Sequence, residues 1–245
     1  MEVTPFKIDI VRPPKDDLLA KIKASELTLE EGDVVALASK VVAIHQGRCV
    51  PYDRAGKDEL IKSEADLWLD RDAVPGGFVM HTITDGIFMP SSGIDPFAGH
   101  YVLWPERLME TAAELLEWFR QEYGLQKLYF VMTDSRSVLM RRGVVGMAVA
   151  WAGFEPLFDN RVAQDLLGHD SGGSQTNLPD SIAAAAVLAM GEQNEQTPVV
   201  RIRNAPYVGR DQVGRKKAHN AFRMEIEEDI HAPFLRQPWQ KGGRT

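Results

Sequence analysis

Two apolar runs, Lys127 to Met132 (KLYFVM) and Val144 to Ala152 (VVGMAVAWA), do most to limit what this chain can fold into. Each has the length and composition of a buried strand. Between them lies a polar stretch, Thr133 to Gly143. The spacing predicts that the first strand ends in Thr133-Asp134-Ser135, with Arg141-Arg142-Gly143 six residues on. A carboxylate and a hydroxyl at a strand's end, with a guanidinium pair close behind, form the inventory needed to hold a metal-bound phosphate.

The flanking segments read as elements that could complete such a site. Phe6 to Val11 (FKIDIV) alternates like a first strand, stopped by Pro13-Pro14. Asp16 and Asp17 precede a short helix through Leu18, Leu19 and Ile22. Val34 to Ala38 is a buried strand that runs into Ser39-Lys40 and a second apolar piece, Val41 to Ile44. Lys57 to Leu69 reads as one helix, and Phe78 to Met89 as a hairpin turning at Thr84-Asp85-Gly86. Ser91-Ser92-Gly93-Ile94-Asp95 is a small-residue loop presenting an acid. Leu108, Ala112, Leu115, Leu116 and Phe119 mark an amphipathic helix closed near Gly124.

Farther along, residues 168–178 (GHDSGGSQTNL) form a Gly/Ser-rich loop that reads as mobile. An Ala-rich helix covers 182–190, and its small residues predict close packing on a neighbour. The polar loop Glu192 to Thr197 and a last strand, 198–203, follow. Charged residues after Tyr207 suggest a partly helical extension, with a helix near 216–228. The reading is therefore one domain over 1–207 and an extension over 208–245. Strands and helices alternate irregularly, which points to an α+β fold with mixed sheets and packed helices.

Charge and cysteine content narrow the function classes. Net charge is −7, which argues against a broad nucleic-acid surface. A local Arg, Lys or metal cluster can still oppose that sign toward small anions. Cys49 is the only cysteine, so neither a disulfide framework nor a thiolate metal site is available within the chain. The first residues resemble neither a signal nor a transit segment, and no run reaches the roughly 18 apolar residues of a membrane span. A cytoplasmic protein with no membrane partner is expected.

Each candidate residue also has an ordinary structural reading. Asp134 could be a turn former, and Asp95 likewise. Arg141-Arg142 could be a solvated face, although an Arg pair between two apolar strands suits phosphate or carboxylate. The loop Gly191 to Pro198 could be a simple connection, yet it holds two acids and three amides. The six histidines show no metal spacing, and no GxGxxG, GxxxxGK[ST] or GxSxG is present.

Five blocks in order resemble the γ-glutamyl ligases typified by the GTP-dependent enzyme of deazaflavin (coenzyme F420) biosynthesis. They are Gly32-Asp33-Val34-Val35 through Ala38-Ser39-Lys40-Val41-Val42 to Gly47-Arg48; Ser92-Gly93-Ile94-Asp95; Thr133-Asp134-Ser135 with Arg141-Arg142-Gly143-Val144-Val145-Gly146; Gly153-Phe154-Glu155-Pro156-Leu157 with Asp165-Leu166-Leu167-Gly168; and Ile182 to Met190 with Gly191-Glu192. Within the family, Phe88 to Asp95, Tyr101 to Pro105 and Met190 to Pro198 look closer to a branch linked to folate metabolism.

The resemblance implies an α+β fold particular to the family and an intertwined homodimer. It implies GTP or ATP as co-substrate, two divalent ions (Mg²⁺ or Mn²⁺), and K⁺ as a further ion. Asp95, Asp134, Ser135 and Glu192 would be the metal ligands. Ser39, Lys40 and the loop Met190, Gly191, Glu192, Gln193, Asn194, Glu195, Gln196 and Thr197 would contact the nucleotide, and the resemblance adds the segment around Arg12-Pro13-Pro14 to them. Arg141, Arg142 and Lys40 would stabilise phosphate or acceptor charge. The implied reaction joins L-glutamate to an acceptor carboxylate through an acyl phosphate. The acceptor would be a folate or tetrahydrofolate-type pterin, or alternatively the deazaflavin precursor; a non-catalytic nucleotide-binding homologue is the third reading. Two positions depart from the deazaflavin enzymes. Ile44 stands where they have a lysine, and Ala98 where they have an asparagine. His169 stands where an Arg commonly follows.

Overall fold

The computed structural model describes residues 1–160, 164, 166–169, 173–210 and 222–244. In chain order its elements are β1 (Glu2–Phe6), α1 (Leu18–Lys23), β2 (Val34–Ala38), α2 (Ser39–Gln46), β3 (Cys49–Pro51), α3 (Lys57–Glu64), β4 (Leu67–Leu69), β5 (His81–Thr84), β6 (Ile87–Pro90), β7 (Asp95–Phe97), β8 (His100–Val102), α4 (Leu108–Tyr123), β9 (Tyr129–Ser137), β10 (Val144–Ala152), β11 (Leu157–Asp159), β12 (Gln175–Asn177), α5 (Leu178–Met190), β13 (Val199–Arg203), α6 (Ala232–Leu235) and β14 (Gln240–Lys241). The class is α+β, as expected from the sequence.

The apolar runs assemble into a five-stranded sheet, β1-β13-β2-β9-β10. β2 and β9 are parallel and the other pairs antiparallel. Central strands with apolar residues on both faces need a cover on each side. On one face Leu18 and Ile22 of α1, Val42 and Ile44 of α2, and Leu115, Leu116 and Phe119 of α4 pack over Leu37, Phe130, Met132 and Val149. On the other, Ile182, Ala183, Ala186 and Val187 of α5 lie over Ala36, Val131, Ala148, Val200 and Ile202. The close approach predicted from the alanines is real. A Cβ placed on Gly146 of β10 would sit 2.4 Å from the Ala183 carbonyl oxygen.

Two smaller sheets, β3-β8-β7 and β14-β4-β5-β6, surround a separate core of Ile61, Ala65, Trp68, Met80, Ile94 and Leu103. The β5–β6 hairpin turns at Asp85-Gly86, both with positive φ, as its sequence requires. α4 ends on Gly124 in the left-handed region. Among the described residues no helix is long and apolar enough to cross a membrane.

Several elements differ from expectation. The first strand is Glu2–Phe6 rather than Phe6 to Val11. Its position at the sheet edge tolerates Pro5, and the alternating residues beyond it leave the sheet. The helix from Lys57 stops at Glu64. Ala65 turns extended, the Asp66 N–H donates to the Ile83 carbonyl at 2.8 Å, and Leu67–Leu69 joins a sheet instead. β9 does not end at Met132. It carries Thr133 to Ser137 onward, paired with Val144 to Ala148. Within 168–178, Gln175–Asn177 is a strand paired with β11, and 170–172 lie outside the described residues, as does Asp165. Of the helix expected near 216–228, residues 216–221 are outside the description, and 222–228 are irregular chain ending in a turn at 226–228.

Candidate active site

A cavity of about 590 Å³ opens where the five-stranded sheet meets the smaller sheets. Strand register explains how distant residues meet there. β2 and β9 run parallel with Ala38 opposite Thr133, so the next residues, Ser39 and Asp134, emerge side by side. The Ser39 hydroxyl donates to Asp134 Oδ2 at 3.3 Å across 95 positions of sequence. Asp95, at the start of β7, and Trp104, just after β8, enter from the opposite wall.

Asp134 is engaged at both carboxylate oxygens. Its Oδ2 also accepts the Trp104 indole N–H at 2.6 Å, and its Oδ1 accepts the Ser135 backbone N–H at 2.7 Å. Removal from water and then the negative charge of Asp95 push its carboxyl up to about 6, against the indole, the Ser135 N–H and Lys40, which favour the charged form. Lys40 Nζ pairs with Asp95 Oδ2 at 2.8 Å. The Ser135 hydroxyl donates to Glu192 Oε2 at 3.3 Å.

The third wall is the loop after α5. Gly191 breaks the helix at φ 77°, where a Cβ would strike the Glu195 carboxylate. Glu195 accepts the Gln193 N–H at 2.9 Å, and the Thr197 hydroxyl donates to the Met190 carbonyl at 2.7 Å. The Ala38 N–H donates to the Pro198 carbonyl at 3.0 Å and fixes the loop beside the start of α2. Ala38 caps that helix without a side-chain bond, so its first N–H groups remain available to an anion.

Ser39, Lys40, Asp95, Asp134, Ser135 and all of Met190 to Thr197 line this one cavity. Arg141 and Arg142 do not. They are exposed in the turn joining β9 to β10 and lie outside the cavity lining. Ile8 to Val11 line the cavity, whereas Arg12, Pro13 and Pro14 are absent from its wall. Ile44 lines it and is buried; Ala98 sits at φ 45° in the β7–β8 turn, off the lining. Sequence reading missed Ile8 to Val11, Phe97 and Val102 to Trp104. The alternation of Ile8 to Val11 suggested a strand, and nothing local marked any of these residues as facing a cavity.

The acids and hydroxyls here are hard oxygen donors. Among the described residues no three acid, imidazole or thiol groups converge to make a self-sufficient metal cage. Asp95, Asp134 and Glu192 line one cavity but do not form such a cluster. The repulsion between Asp95 and Asp134 is of the kind a bound cation relieves.

Comparison with known proteins decides the family. A family model described as F420-0:γ-glutamyl ligase matches residues 6–204. The chain belongs to this family. It is similar to the coenzyme F420:L-glutamate ligase of Methanopyrus kandleri, 30% identical over 83% of this chain and 86% of that protein. It is also 30% identical to the coenzyme F420:L-glutamate ligase of Halorubrum lacusprofundi, over 91% of this chain and 92% of the relative. The enzyme of the same name from Methanothermobacter thermautotrophicus is 27% identical over 73% of this chain and 77% of that protein. The chain is accordingly a γ-glutamyl ligase, an enzyme forming an amide bond.

Proposed function

We propose that this γ-glutamyl ligase adds L-glutamate to the deazaflavin coenzyme precursor, driven by a nucleoside triphosphate, GTP or ATP. The observation that carries the reading is the single cavity uniting Ser39, Lys40, Asp95, Asp134, Ser135 and Glu192 with the 190–197 loop. The acceptor follows the names borne by the relatives, all coenzyme F420:L-glutamate ligases, and takes precedence over the folate-type acceptor.

The chemistry needs an activated carboxyl. An acceptor carboxylate oxygen attacks the γ-phosphorus, the bond from that phosphorus to the bridging oxygen breaks, and the nucleoside diphosphate leaves. The α-amine of glutamate then attacks the acyl carbon and expels phosphate, losing its proton to solvent. Such transfer depends mainly on positioning and on neutralising spread charge. Lys40 supplies an ammonium where the phosphates would lie, and the N-terminus of α2 adds backbone N–H donors beside it. Asp95, Asp134, Ser135 and Glu192 would hold divalent ions, Mg²⁺ or Mn²⁺, which when bound supply electrostatic stabilisation of the phosphate oxygens. Ile8, Ile10, Val41 and Ile44 give the cavity an apolar wall suited to a flat ring and to excluding water.

A homodimer is part of the reading. The arm formed by the ends of β9 and β10 exposes Val138, Leu139, Met140, Val144 and Val145, and Met140 is 93% exposed. Exposed apolar residues on one arm of this kind suit an interaction surface. Arg141 and Arg142 ride on that arm, so any part they take in catalysis runs through the assembly.

The test incubates purified protein with L-glutamate, Mn²⁺ or Mg²⁺, and GTP or ATP, offering the deazaflavin precursor and tetrahydrofolate in turn. Product masses are then read. One added glutamyl unit on the deazaflavin supports the proposal. Addition to tetrahydrofolate alone replaces the acceptor, and no product with either leaves a nucleotide-binding homologue.

A further inference from the structure

We propose that Trp104 is a positioning residue that aims the Asp134 carboxylate. The inference rests on the reading of Asp134 as a metal ligand and adds a residue to it. The indole nitrogen lies 2.6 Å from Asp134 Oδ2, a short hydrogen bond from an N–H to a carboxylate. Ser39 donates to the same oxygen at 3.3 Å. Among the described residues Oδ1 accepts one N–H, from Ser135. Two donors on Oδ2 and one on Oδ1 leave Oδ1 the freer oxygen, so the carboxylate offers a metal one oxygen rather than both.

The donor is itself held rigidly. Trp104 is 1% exposed, and its ring lies against Gly93, where a Cβ would stand 2.0 Å from the indole nitrogen. Its backbone carbonyl accepts Arg48 Nε at 3.1 Å. Arg48 pairs with Glu64 and, at 3.1 Å, with Glu106; Glu64 also meets Arg244 of the C-terminal extension at 3.3 Å. The indole therefore has one orientation, with its N–H toward Asp134. Its ring faces the cavity through the only hydrogen that an indole can donate. Groups behind metal ligands that fix their orientation typically govern affinity 10- to 100-fold.

The experiment compares wild type, Trp104→Phe and Asp134→Ala. Phenylalanine keeps most of the ring's bulk and removes the N–H. Mn²⁺ binding is measured by electron paramagnetic resonance of the free ion, alongside kcat and KM for each substrate. The proposal expects Trp104→Phe to weaken Mn²⁺ about 10- to 100-fold and to restore part of kcat at high Mn²⁺, with KM for glutamate unchanged. Unchanged Mn²⁺ affinity in a folded Trp104→Phe protein overturns it. Should that variant not fold, ¹⁵N–¹H spectra of the five tryptophan indoles decide. One indole resonance moving upfield in Asp134→Ala, with the other four static, supports the bond; five static resonances refute it. If Asp134→Ala itself keeps wild-type Mn²⁺ binding and turnover, the reading of Asp134 as a ligand fails instead, which is a separate result.

Discussion

Lys40 Nζ lies 2.8 Å from Asp95 Oδ2, and this ion pair spans two sheets. Lys40 follows β2 of the central sheet on α2, while Asp95 opens β7 of a small one. Their side chains are 41% and 52% exposed, so water screens the pair and it contributes at most about 1 kcal/mol to folding. Its position at the cavity points to chemistry as its main use. Lys40→Ala should leave the melting temperature within about 4 °C of wild type and lower kcat about 100-fold or more. Differential scanning calorimetry and steady-state kinetics check both halves. A large loss of stability with intact turnover would reverse the assignment.

Asp134 gives a pH signature. Its folded carboxyl titrates at about 6, above the ordinary 3.8. A raised carboxyl pKa means the native state holds the proton that the unfolded chain has released. The cost to folding is absent below 3.8, grows as pH rises, and is complete above about 6. Relative to wild type, metal-free Asp134→Asn should gain roughly 1–3 kcal/mol of unfolding free energy between about pH 4 and about pH 7. Paired urea titrations at several pH values measure that difference directly. A difference that stays flat across the range would mean that the carboxyl is not perturbed.

The close packing of α5 on β10 has its own test. A methyl at Gly146 would lie 2.4 Å from the Ala183 carbonyl and 2.6 Å from Val187 Cβ. Neither is the free end of a flexible side chain. Gly146→Ala should destabilise by about 1–3 kcal/mol or more through overpacking, visible as a lower urea midpoint. Unchanged stability would show that the helix can back away at little cost.

The exposed β9–β10 arm yields an assembly prediction. Met140→Asp places a charge at the most exposed apolar residue of the patch. Under the homodimer proposal, light scattering after size exclusion should show a shift toward the monomer mass, with melting temperature of the isolated subunit little altered. Retention of the wild-type assembly, or a wild-type protein that is already monomeric, would remove the arm from any interface.

Much of the fold is legible locally. Val34 to Ala38, Val144 to Ala152 and 182–190 are apolar runs that the fold largely buries, apart from Val144 and Val145 on the arm and Leu188 on α5, and α4 shows its stripe in a period of 3.6. The Lys57 helix was overextended because Leu67 and Trp68 fit a helical face as well as a strand. Only the pairing of Leu67–Leu69 with His81–Thr84 resolves that ambiguity. In the site, Asp134 and Ser135 could be picked out as an acid and a hydroxyl beside a strong strand. Arg141 and Arg142 have the same local appeal, yet the continuation of β9 to Ser137 carries them out to solvent on the arm.

The sequence by itself determined which segments had to be buried and which chemical groups were available, because apolar periodicity and residue type are local properties. Tertiary structure alone decided which groups meet. The parallel register of β2 and β9 sets Ser39 beside Asp134, and the path of the chain through β7 and β8 brings the Trp104 indole to the same carboxylate. Those contacts depend on strand order and on one register among several, and neither is written in the few residues on either side of Asp134.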